Sequence, residues 1–170
     1  MKLTSKKIGD LILGFSKKIF NINRSITGEG NRRTLSYIKT EIKDLKLRNF
    51  SSNKKEFDWN IPLEWKVNDA YILTPKGEKI CNLKENFLHV ASYSEAVKET
   101  INLNNLKKNL ITLKKLPQSI PYATNYYKKQ WNFCIANNQY KKLKKGKYFI
   151  NIESKFKKGK LDYGELIIRG

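Results

Sequence analysis

Histidine is almost missing from this 170-residue chain: His89 stands alone. Catalytic zinc sites draw on His together with Asp, Glu or Cys, and hydrolase triads need a His beside a nucleophile. A metal site built around His89 would be almost all carboxylate, a donor set that suits Mg or Ca better than zinc. Cysteine is scarce too. Cys81 and Cys134 form neither a CxxC pair nor a disulfide framework, which suits a reducing compartment. No stretch approaches the ~18 consecutive apolar residues of a membrane span. The longest apolar opening, Ile8 to Phe20, is interrupted by Asp10 and by Lys17-Lys18 and lacks the small-residue cleavage site of a signal peptide. These absences lead to the expectation of a soluble, cytoplasmic protein with no membrane partner.

Acidic residues and arginine are also in short supply. Lys and Arg number 35 against 15 Asp and Glu, a net charge of +20, yet only five of the basic residues are Arg. Lysine neutralises phosphate, but Arg is the residue that reads guanine edges and grips phosphate with a planar fork. The lysines are spread along the whole chain. Two dense runs, Lys141 to Lys147 and Lys157 to Lys160, each contain a Gly beside a strand-like segment. They are read first as solvated turns, ahead of phosphate-binding patches. Nucleic acid is therefore not the expected partner, and the charge reads as background.

Hydrophobic residues at 39% and aromatics at 12% are enough to build a core. Ile8, Leu11, Ile12, Phe15 and Ile19 recur at helical spacing, predicting a helix from about Lys6 to Phe20. A second helix carries Leu35, Ile38, Ile42 and Leu45. Beyond a polar break at Ser51 to Lys55, short aromatic and β-branched runs predict strands at Phe57 to Trp59, Trp65 to Val67, Ala70 to Thr74, Lys79 to Leu83 and Phe87 to Tyr93. Leu103, Leu106, Leu110 and Leu113 predict one more helix, ended by Pro117. Tyr148, Ile150 and Ile152 then predict a strand that turns through Lys157 to Lys160 and returns along Leu161 to Ile168. The fold class expected is α/β or α+β, helices first and strands afterwards. The apolar final strand suggests a domain cut in its middle.

Several residues are candidates for chemistry. In Arg24-Ser25-Ile26-Thr27-Gly28-Glu29-Gly30-Asn31-Arg32-Arg33, glycines ahead of a helix allow backbone N–H groups to cradle an anion, with Arg24 or Arg32 adding charge. The plainer reading, favoured on composition, is a helix-entry loop with Thr27 or Asn31 as N-cap. His89, in the apolar run Phe87 to Ala91, reads first as a hydrogen-bonded structural residue. Tyr126, Tyr127 and Trp131 offer stacking surfaces but read first as core. Asp58, Glu64 and Asp69 have no spacing that fixes them on one face, and Cys134, between Phe133 and Ile135, reads as a small buried hydrophobe.

Taken in order, the segments Arg24 to Arg32, Phe57-Asp58-Trp59 with Ile61-Pro62 and Glu64-Trp65, Asp69 to Ile72, Leu88-His89-Val90, Ile120-Pro121-Tyr122, Tyr126-Tyr127, Trp131 with Phe133-Cys134, and Tyr163-Gly164-Glu165 resemble the N-terminal part of the aminopeptidase-like proteins of bacterial surface-polysaccharide gene clusters. The resemblance runs from about Phe15 to Gly170. It implies a zinc-exopeptidase-type core interrupted by a small strand-rich insertion of unknown function. On that pattern residues 1–52 are N-terminal helices of the core, 53–147 the insertion and 148–170 the first core strands. Asn132 departs from the pattern, where Gly is expected, and suggests an altered turn.

In the family the metal-binding segment, opening on Cys-His-Pro, follows the Tyr-Gly-Glu strand, so the resemblance carries no metal ligand and no catalytic residue onto this chain. Zinc is expected in the full-length family member and no cofactor in this chain alone. Its expected partners are the missing C-terminal half of the same protein and, in the full-length form, a peptide or amide substrate. Arg24, Gly28, Asn31, Arg32 and His89 are the expected substrate contacts near the site. Two functions follow: the catalytically inert N-terminal fragment of a zinc-dependent aminopeptidase-like hydrolase, or a stand-alone basic module that binds nucleic acid or an anionic glycan.

Overall fold

The computed structural model describes residues 4–169. Two helices, α1 (Ser5–Phe20) and α2 (Glu29–Glu41), come first. Strands β1 (Lys46–Ser51), β2 (Lys55–Glu56), β3 (Trp59–Asn60), β4 (Glu64–Leu73) and β5 (Lys79–Ile80) follow. A 3₁₀ turn at Phe87–His89 leads to β6 (Val97–Asn102), α3 (Leu103–Lys108), β7 (Leu110–Ile111), β8 (Phe133–Cys134) and α4 (Asn137–Tyr140). Strands β9 (Lys147–Lys157) and β10 (Lys160–Glu165) complete the order. The chain is thus a mixed helix-and-strand protein, helices first, as its sequence predicts. It divides into two compact units: residues 1–63 with 158–170, and residues 64–157.

In the first unit, α1 starts where Thr4 Oγ1 accepts from the Lys7 amide at 3.4 Å. None of its residues is buried, and Leu11, Ile12 and Phe20 lie exposed along it. Strand β1 pairs antiparallel with β10, Lys46 opposite Glu165 and Phe50 opposite Leu161. Phe50 stacks on Tyr163 at 5.5 Å, a diagonal cross-strand aromatic pair that fixes register. Ser52 and Gly159 close the ribbon, exchanging backbone and side-chain hydrogen bonds at 2.9 Å. Ile22, Leu45 and Ile61 supply a small apolar core.

The second unit is built on an antiparallel sheet of order β5-β4-β9-β6. In β9, Tyr148, Ile150, Ile152 and Ser154 are buried, the two-residue period of a strand with one covered face. Along β4 the covered face changes parity. Trp65 and Val67 pair with Phe156 and Ser154, whereas Ala70 and Ile72 pair with Ile152 and Ile150, and a bulge between Val67 and Asp69 makes the change. The extra residue keeps all four side chains on one face despite the switch from odd to even numbers. Leu106, Phe133 and Ile135 complete this core.

Helix α2 ends at Glu41, short of Ile42 and Leu45. Phe57, at φ +57°, turns the chain between β2 and β3, where one strand is expected. Three further elements differ. The β9 segment does not fold back onto β10: both edges of β9 are occupied, by β4 and β6, so β10 pairs with β1 and ends at Glu165, short of Ile168. Phe87 to Tyr93 is not a strand, because Asn86 Oδ1 caps a 3₁₀ turn by accepting from the Leu88 amide at 2.9 Å. The helix from Leu103 stops at Lys108, since Leu110 and Ile111 pair in parallel with Phe133 and Cys134.

Candidate functional site

The glycine-bearing entry to α2 is stitched to its own unit. Gly28, at φ +96°, is the N-cap, in place of the expected Thr27 or Asn31. Those two are committed elsewhere: the Thr27 hydroxyl donates to the Leu63 carbonyl at 3.3 Å, and Asn31 Nδ2 donates to the Asp162 carbonyl at 2.7 Å. Arg24 donates to the Ile19 carbonyl at the end of α1, and Arg32 lies 3.3 Å from the Asp162 carboxylate and 3.4 Å from that of Glu29. Gly30 meets the backbone so closely that a Cβ there would sit 1.8 Å from the Asn23 oxygen. Arg24, Gly28, Asn31 and Arg32 are therefore brought together, facing protein carbonyls and carboxylates. His89 belongs to the other unit.

A cleft of about 450 Å³ opens in the second unit at one end of the sheet. Its buried lining includes Cys81, His89, Ile135 and Tyr148. His89 Nδ1 lies 2.9 Å from the Cys134 carbonyl, which only accepts, so Nδ1 carries a proton. Cys81 adopts φ +49°, and burial, then the neighbouring Cys134 thiol and Glu85 carboxylate, push its thiol up to about 12. Burial alone pushes Cys134 up to about 12. Both thiols are therefore neutral at physiological pH, which removes them as nucleophiles. Five exposed lysines, 76, 79, 142, 144 and 145, surround the opening with Glu78 and Glu85.

The sequence alone does not join Cys81, Tyr148, the turn at residues 74–79 and the lysine run at 142–145 into one feature. No local sequence signal joins them: it is the pairing of Leu73 with Phe149 that places the turn after β4 and the lysine run before β9 at the same end of the sheet.

The remaining candidates serve packing. Tyr93 lies between Trp65, at 6.2 Å, and Tyr126, edge-on at 4.9 Å, while Tyr127 is largely exposed. Asn132 donates from its backbone to Ser94 Oγ at 3.2 Å and from its side chain to the Asn109 carbonyl at 3.3 Å. Cys134 is fully buried. Glu64, also buried, pairs with Lys157 at 3.5 Å. Among the described residues no three His, Cys, Asp or Glu side chains form a metal-holding group, and no helix is long and apolar enough to cross a membrane.

The fold and this polar-and-aromatic middle unit define a module with known counterparts. Residues 64–155, nearly coincident with the second unit, match a domain of unknown function, DUF2172, and the chain belongs to that family. A Clostridium acetobutylicum protein, named for polysaccharide biosynthesis with an aminopeptidase-like domain, is 42% identical over 166 residues. A crystal structure from the same organism, provisionally named a peptidase, superposes with a TM-score of 0.88 at 42% identity over 98% of this chain. The chain spans 38% of the first relative and 39% of the second. It is the counterpart of one part of an aminopeptidase-like protein.

Zinc, which that resemblance implies, does not fit the donors described in this chain. The one imidazole and the two thiols do not combine with carboxylates into a group of three or more donors among the described residues.

Proposed function

We propose that this chain is the N-terminal part of a zinc-dependent aminopeptidase-like hydrolase that acts on a peptide or amide in the cytoplasm during bacterial surface-polysaccharide biosynthesis, and that the chain alone is catalytically inert. The carrying observation is the 42% identity over 98% of the chain to a relative of which it spans only 38%. The metal and its ligands belong to the remainder of the protein. This part supplies scaffold and the family's middle module.

The apolar surface of the first unit supports the same reading. Leu11, Ile12 and Phe20 of α1 and Ile167 and Ile168 beyond β10 are all more than half exposed, and large apolar side chains left open to water are suited to a protein cover. The remainder of the protein is that cover. Aminoacyl p-nitroanilide hydrolysis with added zinc tests the proposal: the 170-residue chain shows none, and a protein extended to the length of its relatives releases the amine. Zinc-dependent release by the short chain overturns it.

A further inference from the structure

We infer that the lysine-rimmed cleft of the second unit is a binding site for a small phosphate ester, a phosphate or diphosphate carrying one sugar- or nucleoside-sized group. The proposal concerns the middle module itself and does not depend on peptidase activity.

The rim is held in place by the fold. Gly146 packs against Pro75, where a Cβ would come within 2.4 Å of the proline ring. The turn after β4 and the lysine run before β9 are therefore locked face to face. Each is braced again: Tyr148 Oη donates to the Lys144 carbonyl at 2.6 Å, and the Glu78 amide donates to Thr74 Oγ1 at 3.1 Å. Lys79 is the exception: its ammonium lies over the Tyr71 ring at 4.1 Å, on the sheet face opposite Ile72 and Tyr148. Rigid placement matters because lysines on mobile loops lose side-chain entropy on binding that offsets their Coulomb gain.

The charge and floor then select the ligand. Lysines 76, 142, 144 and 145 against Glu78 and Glu85 leave an excess of positive charge at the opening, and one of those carboxylates, Glu85, already accepts from Asn82 Nδ2 at 3.1 Å. The floor beneath is mostly apolar and ends in the buried Tyr148 ring. Its volume lies within the range of small-molecule sites, ~300–1,000 Å³. A phosphate at the rim with a ring on the floor satisfies both surfaces. A long polyanion would use the rim and leave the floor empty.

Amide chemical shifts of the ¹⁵N-labelled 170-residue chain, recorded at low salt with uridine diphosphate, glucose 1-phosphate or uridine, test the site. Both phosphates are expected to move amides within residues 74–81 and 142–148, and uridine to leave them in place. The nucleotide and sugar arms identify which ring the floor prefers. The triple variant Lys76→Gln, Lys142→Gln, Lys145→Gln should weaken binding at least tenfold. A charge-matched control remote from the cleft lining, Lys66→Gln with Lys98→Gln and Lys155→Gln, should change it less than threefold. Equal weakening by the two variants, shifts scattered over the surface, uridine binding as well as its diphosphate, or no binding at millimolar ligand would each overturn the site.

Discussion

Asn31 Nδ2 donates to the backbone carbonyl of Asp162 at 2.7 Å, across 131 positions of sequence. This bond, with the Arg32–Asp162 ion pair at 3.3 Å, ties the first turn of α2 to β10. It accounts for an Arg- and Asn-bearing glycine loop without any ligand. Asn31→Ala should destabilise the first unit by about 1–2 kcal/mol, since the Asp162 carbonyl loses a partly buried partner. Urea unfolding followed through Tyr and Trp fluorescence checks this. Arg32→Gln should cost less, because that guanidinium is partly solvated.

Gly30 is needed for space. With the Asn23 carbonyl 1.8 Å from any Cβ, Gly30→Ala must push the backbone of the loop away from the helix. The expected cost is about 3 kcal/mol, at the upper end for overpacking. Limited proteolysis should show new cleavage within residues 21–30, while residues 64–157 stay resistant.

How much of this was legible beforehand depended on the range of the interactions. Helix α1 was readable because Ile8 to Ile19 carry a period that nothing tertiary overrides. The strands on either side of Pro75-Lys76-Gly77, Ala70 to Thr74 and the start of Lys79 to Leu83, were readable because the turn chemistry between them is local. The partner of β10 was not, because nothing in Leu161 to Glu165 states that β9 is already sandwiched by β4 and β6. The bulge in β4 was hidden too, since Trp65, Val67, Ala70 and Ile72 show two half-patterns whose join is set by the neighbouring strand. Of the candidate site, His89 was singled out but as a strand residue. The lysine run before β9 was read as a solvated turn, and only the pairing of Leu73 with Phe149 shows what it faces.

Ser94 is the buried hub of the second unit. Its hydroxyl donates to the Ala91 carbonyl at 2.7 Å and accepts from Asn125 Nδ2 at 3.1 Å and the Asn132 amide at 3.2 Å, while its carbonyl receives Trp65 Nε1 at 2.8 Å. Ser94→Ala leaves the buried Asn132 amide without its acceptor and Asn125 Nδ2 with only the Gln130 carbonyl at 3.4 Å, and should cost about 2–3 kcal/mol. Trp65→Phe, which removes one bond to the carbonyl, should cost about 1–2 kcal/mol. Thermal melts of the two variants order them.

The buried thiols set a pH dependence. Both Cys81 and Cys134 are raised in the fold to about 12 from an ordinary 9.0. Their contribution to stability is complete below pH 9, and it is lost as pH rises from there toward 12, where the unfolded chain ionises and the folded one does not. Native protein at pH 8 should react with a thiol reagent far more slowly than protein in denaturant. Alanine at both positions should flatten the alkaline loss of melting temperature.

The central claim is that this chain is the leading, middle-module-bearing part of a larger aminopeptidase-like protein, and the most direct test is to read the encoding DNA beyond the codon for Gly170. The account predicts an open frame running on into a Cys-His-Pro segment and further His, Asp and Glu residues able to hold zinc. A stop codon at that point, in undamaged genomic DNA, would contradict it.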